Sequence, residues 1–192
     1  MVTYLFVLLT NLPVSDLFSP NQLNHRWDIL ILIFISTFLF PVLSILIMKH
    51  YKVISSLKMR RRKERTLPFS LISLFYWLST YLFWNNKIFD SEIIMMFGGV
   101  SLLIVLLTLI NTVWKISIHS AGMGGALGIL WLLNQQDPYQ KLYPVILVSI
   151  LVCGAVMTAR LYLNCHTPRQ VYAGTVLGFT VCYGLLKGFL FL

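Results

Sequence analysis

The sequence is poor in charged side chains, and acidic ones are the scarcest. Only 11% of its 192 residues are Asp, Glu, Lys or Arg, and just 6 residues are acidic. A soluble domain carries about 25% charged residues, because a domain this small needs polar groups to cover its core. The shortage argues against an ordinary soluble domain and indicates a protein that is surrounded by lipid.

Cysteine is also scarce. Cys153, Cys165 and Cys182 have no metal-ligand spacing, and each lies in or beside an apolar run. An odd number without such spacing predicts neither a disulfide framework nor a metal site. We interpret all three as small side chains buried in the membrane.

Apolar sequence is abundant: 58% of the residues are hydrophobic, and the mean hydropathy is +0.80. A helix needs about 20 apolar residues to cross a bilayer. Six segments are predicted to do so: Trp27–Lys49, Leu67–Trp84, Ile93–Trp114, Ser120–Leu133, Leu142–Ala159 and Pro168–Leu192. The first dozen residues resemble neither a signal peptide nor a full crossing and predict a short hydrophobic N-terminal helix. The expected fold is all-α, a polytopic helical membrane bundle that forms a single domain over residues 1–192.

The charged residues divide between the two sides of this predicted bundle. Alternate crossings place His50–Thr66, Lys115–His119 and Arg160–Thr167 on one side, side A, which collects most of the cations, whereas five of the six acids lie opposite. The positive-inside rule makes side A cytoplasmic, unless its cations bind substrate. Taken alone, the run Lys58–Arg65 is explained as well by a topology signal or a contact with anionic lipid headgroups as by a functional role. Nucleic acid is disfavoured as a partner, because so apolar a chain presents no groove-binding surface.

Three groups of ionisable residues stand at helix ends on side A, where they are costly unless solvated, paired or used. The groups are Lys58–Arg65, Lys115–His119 and Arg160–Gln170. In the third group, Thr167 is predicted as an N-cap, Pro168 as the first helical residue and Gln170 as the third position of a capping box. His166 would then lie beside the free N–H groups at the start of the last helix.

Two glycine pairs at four-residue spacing occur in the fourth and sixth spans. They are Gly124 with Gly128, and Gly174 with Gly178. Such spacing lets helix backbones approach closely, so we interpret both pairs as helix-packing motifs.

The groups on side A have the composition of a phosphoryl-transfer site. Such a site needs cations and N–H donors around the phosphate oxygens, because charge stabilisation dominates the reaction. Arginine supplies a planar fork of donors, and helix N-termini add free N–H groups. One neutral imidazole can attack phosphorus while a second protonates the leaving oxygen. Arg160, His119 and His166 are therefore candidate site residues if the fold brings them together.

At the third group the chain resembles the type 2 phosphatidic acid phosphatase superfamily. The corresponding part of that family's pattern is Ser-Arg-x5-His-x3-Asp. Here it reads Ala159-Arg160-x5-His166-x3-Gln170, which is the most specific match.

The other two parts of the family pattern, Lys-x6-Arg-Pro and Pro-Ser-Gly-His, match less fully. The second reads Ser117-Ile118-His119, which keeps the serine and histidine without the proline and glycine. The first reads Lys58-x6-Arg65 with no proline next, and Arg62 is as good a candidate as Lys58. The resemblance predicts a phosphatase-like core over about residues 50–192.

The resemblance implies a membrane lipid phosphatase, a hydrolase that needs no metal or other cofactor. Its substrates would be lipid phosphates or pyrophosphates, such as phosphatidate, phosphatidylglycerol phosphate or undecaprenyl pyrophosphate. His166 would attack phosphorus and become a phosphohistidine, and His119 would protonate the leaving group. The phosphate oxygens would be held by Arg65, Arg160, Ser117 and either Lys58 or Arg62.

Gln170 departs from the family pattern. The family's Asp orients the nucleophilic histidine and compensates its developing positive charge, whereas a glutamine can only orient it. The alternative is thus a catalytically weakened member that binds or moves an anionic lipid. The expected location is the bacterial inner membrane, with membrane lipids as partners. Many family members work on the outer face, which conflicts with the cytoplasmic side A that the charges indicate.

Overall fold

The computed structural model describes Ile31 and residues 34–54, 63–85 and 91–190. Six helices lie in these ranges: α1 (Ile35–His50), α2 (Lys63–Asn85), α3 (Ser91–Val113), α4 (Ile118–Gln136), α5 (Tyr143–Tyr162) and α6 (Pro168–Leu190). The described ranges contain no strand, which confirms the predicted all-α class. The predicted N-terminal hydrophobic segment lies outside the described residues.

Within the described part of the chain, four helices are long and apolar enough to cross a membrane. The qualifying stretches are Arg65–Asn85, Ile93–Val113, Tyr143–Tyr162 and Pro168–Gly188, and each matches a predicted span to within a few residues. The described part of the first predicted span is the shorter apolar helix α1. The fourth predicted span is α4, whose glycines and polar ends lower its hydropathy. The chain is an integral membrane helix bundle.

The glycine-rich helix α4 lies at the centre of the bundle and packs most extensively against α6. A Cβ on Gly128 would lie 2.6 Å from the carbonyl oxygen of Phe179 in α6. A Cβ on Gly178 of α6 would likewise clash with the backbone of Ala121 in α4. The two helix backbones therefore touch, which confirms the packing role of both glycine pairs.

The remaining helices surround this pair. α3 contributes much of the buried apolar core and contacts α2 through the edge-to-face rings of Phe97 and Phe83, whose centroids lie 5.1 Å apart. α5 is peripheral, and only its Ile146 and Cys153 are buried. Its outer face is apolar, as expected of a helix that contacts hydrocarbon chains. The bundle thus has a tightly packed centre and a more loosely held outer helix.

Candidate active site

His166 lies in the turn that joins α5 to α6. The amide of Cys165 donates a hydrogen bond to the carbonyl oxygen of Arg160 at 3.2 Å, which folds the chain back on itself. Asn164 has a φ of 50°, a left-handed conformation in which asparagine is enriched. The next helix begins at Pro168, as predicted. His166 therefore stands just before a helix N-terminus.

The side chain of Gln170 caps the start of α6 and contacts the imidazole of His166. Its side-chain oxygen accepts a hydrogen bond from the backbone N–H of Thr167 at 3.1 Å and lies 3.2 Å from Nδ1 of His166. A backbone N–H can only donate, so the glutamine atom that faces it is the carbonyl oxygen. That oxygen can only accept, so the proton of neutral His166 is on Nδ1 and Nε2 keeps a free lone pair. The capping-box prediction for Gln170 is confirmed, and the same oxygen orients the imidazole.

The segment that contains His119 meets the start of α6 through backbone atoms. The amide of Ser117 donates to the backbone carbonyl oxygen of Gln170 at 3.3 Å. A Cβ on Gly174 would lie 2.6 Å from the carbonyl oxygen of Ser117. His119 follows in the first turn of α4. The glycine-lined contact between α4 and α6 thus brings the two histidine-bearing segments together.

Three cations act on the two imidazoles. The charges of Lys115, Arg65 and Arg160 all oppose protonation of His166, and those of Arg160 and Arg65 oppose protonation of His119. Interactions of this kind between partly exposed groups fall off within about 10 Å. Arg65, at the start of α2, is therefore close to residues that precede α4 and α6. Arg65 thus lies near described residues of the other two predicted groups.

The electrostatic environment keeps His166 neutral. Burial is the largest cause and, with the three cations, lowers the pKa of His166 to about 4, although the hydrogen bond with Gln170 opposes the shift. The imidazole is then uncharged at pH 7, as a nucleophile must be.

His119 lies in the first turn of α4, is exposed, and lines an apolar cavity. Desolvation by neighbouring protein atoms, followed by the charges of Arg160 and Arg65, lowers its pKa. A bound phosphate would offset both arginine charges and raise this pKa again. Anion binding would thus favour the protonated form that a general acid requires.

Hydrogen bonding or charge interactions link five predicted site residues: His166, His119, Gln170, Arg160 and Arg65. Lys58 and Arg62 lie outside the described residues.

Ser117 is fully buried, and its hydroxyl lies 2.8 Å from that of Ser120. Either hydroxyl can be the donor in this contact, and the phosphate-binding role of Ser117 stays a prediction.

Lys115 opens the second predicted group, but no phosphate-binding role was predicted for it. It lies in the loop before α4, where burial, followed by the charge of Arg65, lowers its pKa. The signal was its position two residues before Ser117, in a segment already assigned to side A. Its charge contributes to the same cluster as Arg65 and Arg160.

The PAP2 superfamily matches residues 55–191, which is more than two thirds of the chain. The chain belongs to the PAP2 superfamily. The match begins just before the basic run Lys58–Arg65 and ends after α6, so it covers all three predicted groups. The predicted resemblance is thereby confirmed, and the chain is a membrane protein of a PAP2 phosphatase superfamily. Comparisons with curated proteins and with solved structures gave no match.

Proposed function

We propose that this protein is a membrane lipid phosphatase that hydrolyses a lipid phosphate or lipid diphosphate through a phosphohistidine on His166. The observation that supports it best is the placement of a neutral His166, with Nε2 free, at a helix N-terminus among Arg65, Lys115 and Arg160. PAP2 superfamily membership and four membrane-spanning helices agree with a phosphatase that meets its substrate in the bilayer.

In the first step, Nε2 of His166 attacks phosphorus and forms an N–P bond while the bond from phosphorus to the leaving oxygen breaks. His119, protonated in the presence of the bound anion, gives its proton to that oxygen. The carbonyl dipole of Gln170 stabilises the positive charge that develops on the His166 ring, through the hydrogen bond from Nδ1. The products are the lipid alcohol, or a lipid monophosphate, and a phosphohistidine.

In the second step, water attacks the phosphohistidine. The now neutral His119 accepts a proton from this water, the N–P bond breaks, and inorganic phosphate leaves. Arg65, Arg160 and Lys115 stabilise the phosphate oxygens in both steps, and the free N–H groups at the start of α6 add to this field. Both histidines return to their initial protonation states.

The test is phosphate release from a lipid phosphate in detergent, without added metal, by purified protein. His166→Ala should abolish release, and His119→Ala should lower it by about 100-fold or more, the range of a general acid. His50→Ala is the matched control, because His50 ends α1 beside Tyr51 and should leave the rate unchanged. Activity that survives His166→Ala would remove the proposed nucleophile.

A second candidate is a relative that binds or moves an anionic lipid without turning it over. Gln170 favours this candidate, because an amide supplies no charge to the phosphohistidine. Gln170→Asp discriminates: phosphate release by that variant together with none by the wild type would identify a binding protein.

We also propose that the functional unit comprises about residues 50–192, in a bacterial inner membrane with side A cytoplasmic. A cysteine introduced within residues 55–62, in a Cys165→Ser background, should react with an impermeant thiol reagent only in inside-out vesicles. Labelling in right-side-out vesicles would reverse this orientation.

A further inference from the structure

An apolar cavity of about 550 Å³ lies between α2, α3, α4 and α5. Its lining is mostly hydrocarbon and includes Leu103 and Leu107 of α3, Ala126 and Leu130 of α4, and Val152 of α5. The cavity is partly open, and apolar pockets of this size between helices are typical of small-molecule binding sites.

One end of the cavity lies at the candidate active site. His119 is part of its lining and also belongs to the candidate active site. On α4 the lining continues from His119 to Leu130, eleven residues further along, which is about 17 Å at 1.5 Å per residue. In the proposed mechanism, His119 protonates the leaving oxygen, so the leaving group lies against its ring. The space that opens from there is available to the hydrocarbon attached to that group.

Two estimates give the capacity of this space. A dry apolar cavity of about 150 Å³ holds one benzene, or six carbons, so the same proportion gives roughly 20 carbons here. An extended chain advances about 1.2 Å per bond, so a depth of about 17 Å accommodates roughly 14 carbons. Both values correspond to one long chain, and the two chains of a diacylglycerol would exceed them.

We propose that this cavity binds the single hydrocarbon chain of the leaving group, so that the preferred substrate is a single-chain lipid phosphate or diphosphate instead of a diacyl lipid. This inference rests on the proposed function, because that function places the leaving oxygen at His119. Ala126, midway along the α4 wall, controls the width of the cavity, and Leu130 controls its depth.

The first experiment compares phosphate release from tetradecyl phosphate, butyl phosphate and ditetradecanoyl phosphatidate in mixed micelles. The kcat/KM for tetradecyl phosphate should exceed that for each of the other two substrates by about 10-fold or more. This is far less than full transfer of the additional methylenes from water would give, at roughly 4-fold for each methylene. Ala126→Phe should lower kcat/KM for tetradecyl phosphate at least about 10-fold more than for butyl phosphate, because the ring overfills the cavity. Leu130→Ala should shift the preference toward longer chains.

Gly154→Phe is the matched control. Gly154 lies on α5, and a Cβ there would meet no atom within 4 Å, so a ring added there points away from the bundle. It should change neither substrate's kinetics. Equal use of single-chain and diacyl substrates, or a proportional loss on both single-chain substrates in Ala126→Phe, would overturn the cavity assignment even if the wild type is a phosphatase.

A binding experiment separates this inference from the proposed function, since it needs no turnover. Tetradecyl phosphonate with a photoreactive diazirine at the chain end should label α4 near Leu130 in the wild type and in His166→Ala, and should label Ala126→Phe much less. Labelling distributed over the outer face of α5 would show that the chain stays in the surrounding lipid, which would overturn the inference. Absence of phosphate release with labelling retained would count against the proposed function alone.

Discussion

Replacing Gln170 by glutamate would test how the imidazole of His166 is controlled. Glutamate has the same length as glutamine, so an oxygen can keep its place at 3.1 Å from the amide nitrogen of Thr167 and 3.2 Å from Nδ1 of His166. Geometry and tautomer are then conserved, while a negative charge is added beside the ring. The substitution therefore changes mainly how well the positive charge on the His166 ring is compensated by a neighbouring negative charge.

The size of the effect follows from the pKa of His166. An opposite charge at such a distance raises the pKa of an imidazole by about 1–3 units, which is about 1.4–4 kcal/mol. The pKa should therefore rise from about 4 toward its ordinary value. Phosphohistidine formation places positive charge on the same ring. If half of that charge has developed in the transition state, the barrier falls by about 0.7–2 kcal/mol, a rise of about 3- to 30-fold in kcat/KM.

The assay is initial-rate phosphate release over a wide pH range with wild type, Gln170→Glu and Gln170→Leu. Gln170→Glu should be faster at neutral pH, and its acid limb should move upward. Gln170→Leu removes both hydrogen bonds and should lose most of its activity, because the ring is no longer held in one tautomer. A glutamate variant with an unmoved acid limb, or with a lower rate despite a raised pKa, would refute the reasoning.

Three further predictions concern the packing, the cations and the pH profile. Gly174→Ala should lower the free energy of unfolding in detergent by about 1–3 kcal/mol, because the added Cβ meets the Ser117 carbonyl oxygen, whereas Gly184→Ala has open space and should not destabilise. Lys115→Gln should raise KM for the lipid phosphate about 10-fold by removing a charged hydrogen-bond donor, and Lys141→Gln, near the opposite ends of the helices, should not. The kcat/KM of the wild type should fall below about pH 4, where His166 gains a proton and loses its lone pair; an acid limb near the ordinary histidine pKa would contradict a neutral, half-buried ring.

Much of the site could be predicted because it depends on short, local sequence patterns. The start of α6 at Pro168 and the capping contact of Gln170 depend on a few adjacent residues, and both were predicted correctly. The glycine spacing predicted close backbone contacts for α4 and for α6, although not that the two helices contact each other. The family resemblance then indicated which distant groups meet, and the structure brings them together.

Other features could not be predicted, because they depend on which helix faces meet. A helix in lipid is apolar all round, so hydropathy does not show that Ala126 lines a cavity or that Ser117 is fully buried. The part played by Lys115 depends on how the loop before α4 folds toward Arg65, which sequence spacing does not reveal. The low hydropathy of α4 has a related cause. Close backbone contact requires glycine and other small residues, which contribute less hydropathy than large aliphatic side chains.

The side-chain oxygen of Gln170 contacts two groups at once, and this affects which ring nitrogen of His166 can be phosphorylated. A carbonyl oxygen offers two lone pairs, and here one faces the Thr167 amide while the other faces the inner nitrogen of the ring. Another group can bond to that nitrogen only after its contact with Gln170 is broken. A phosphoryl group captured by His166 would therefore form a single positional isomer, on the outer nitrogen.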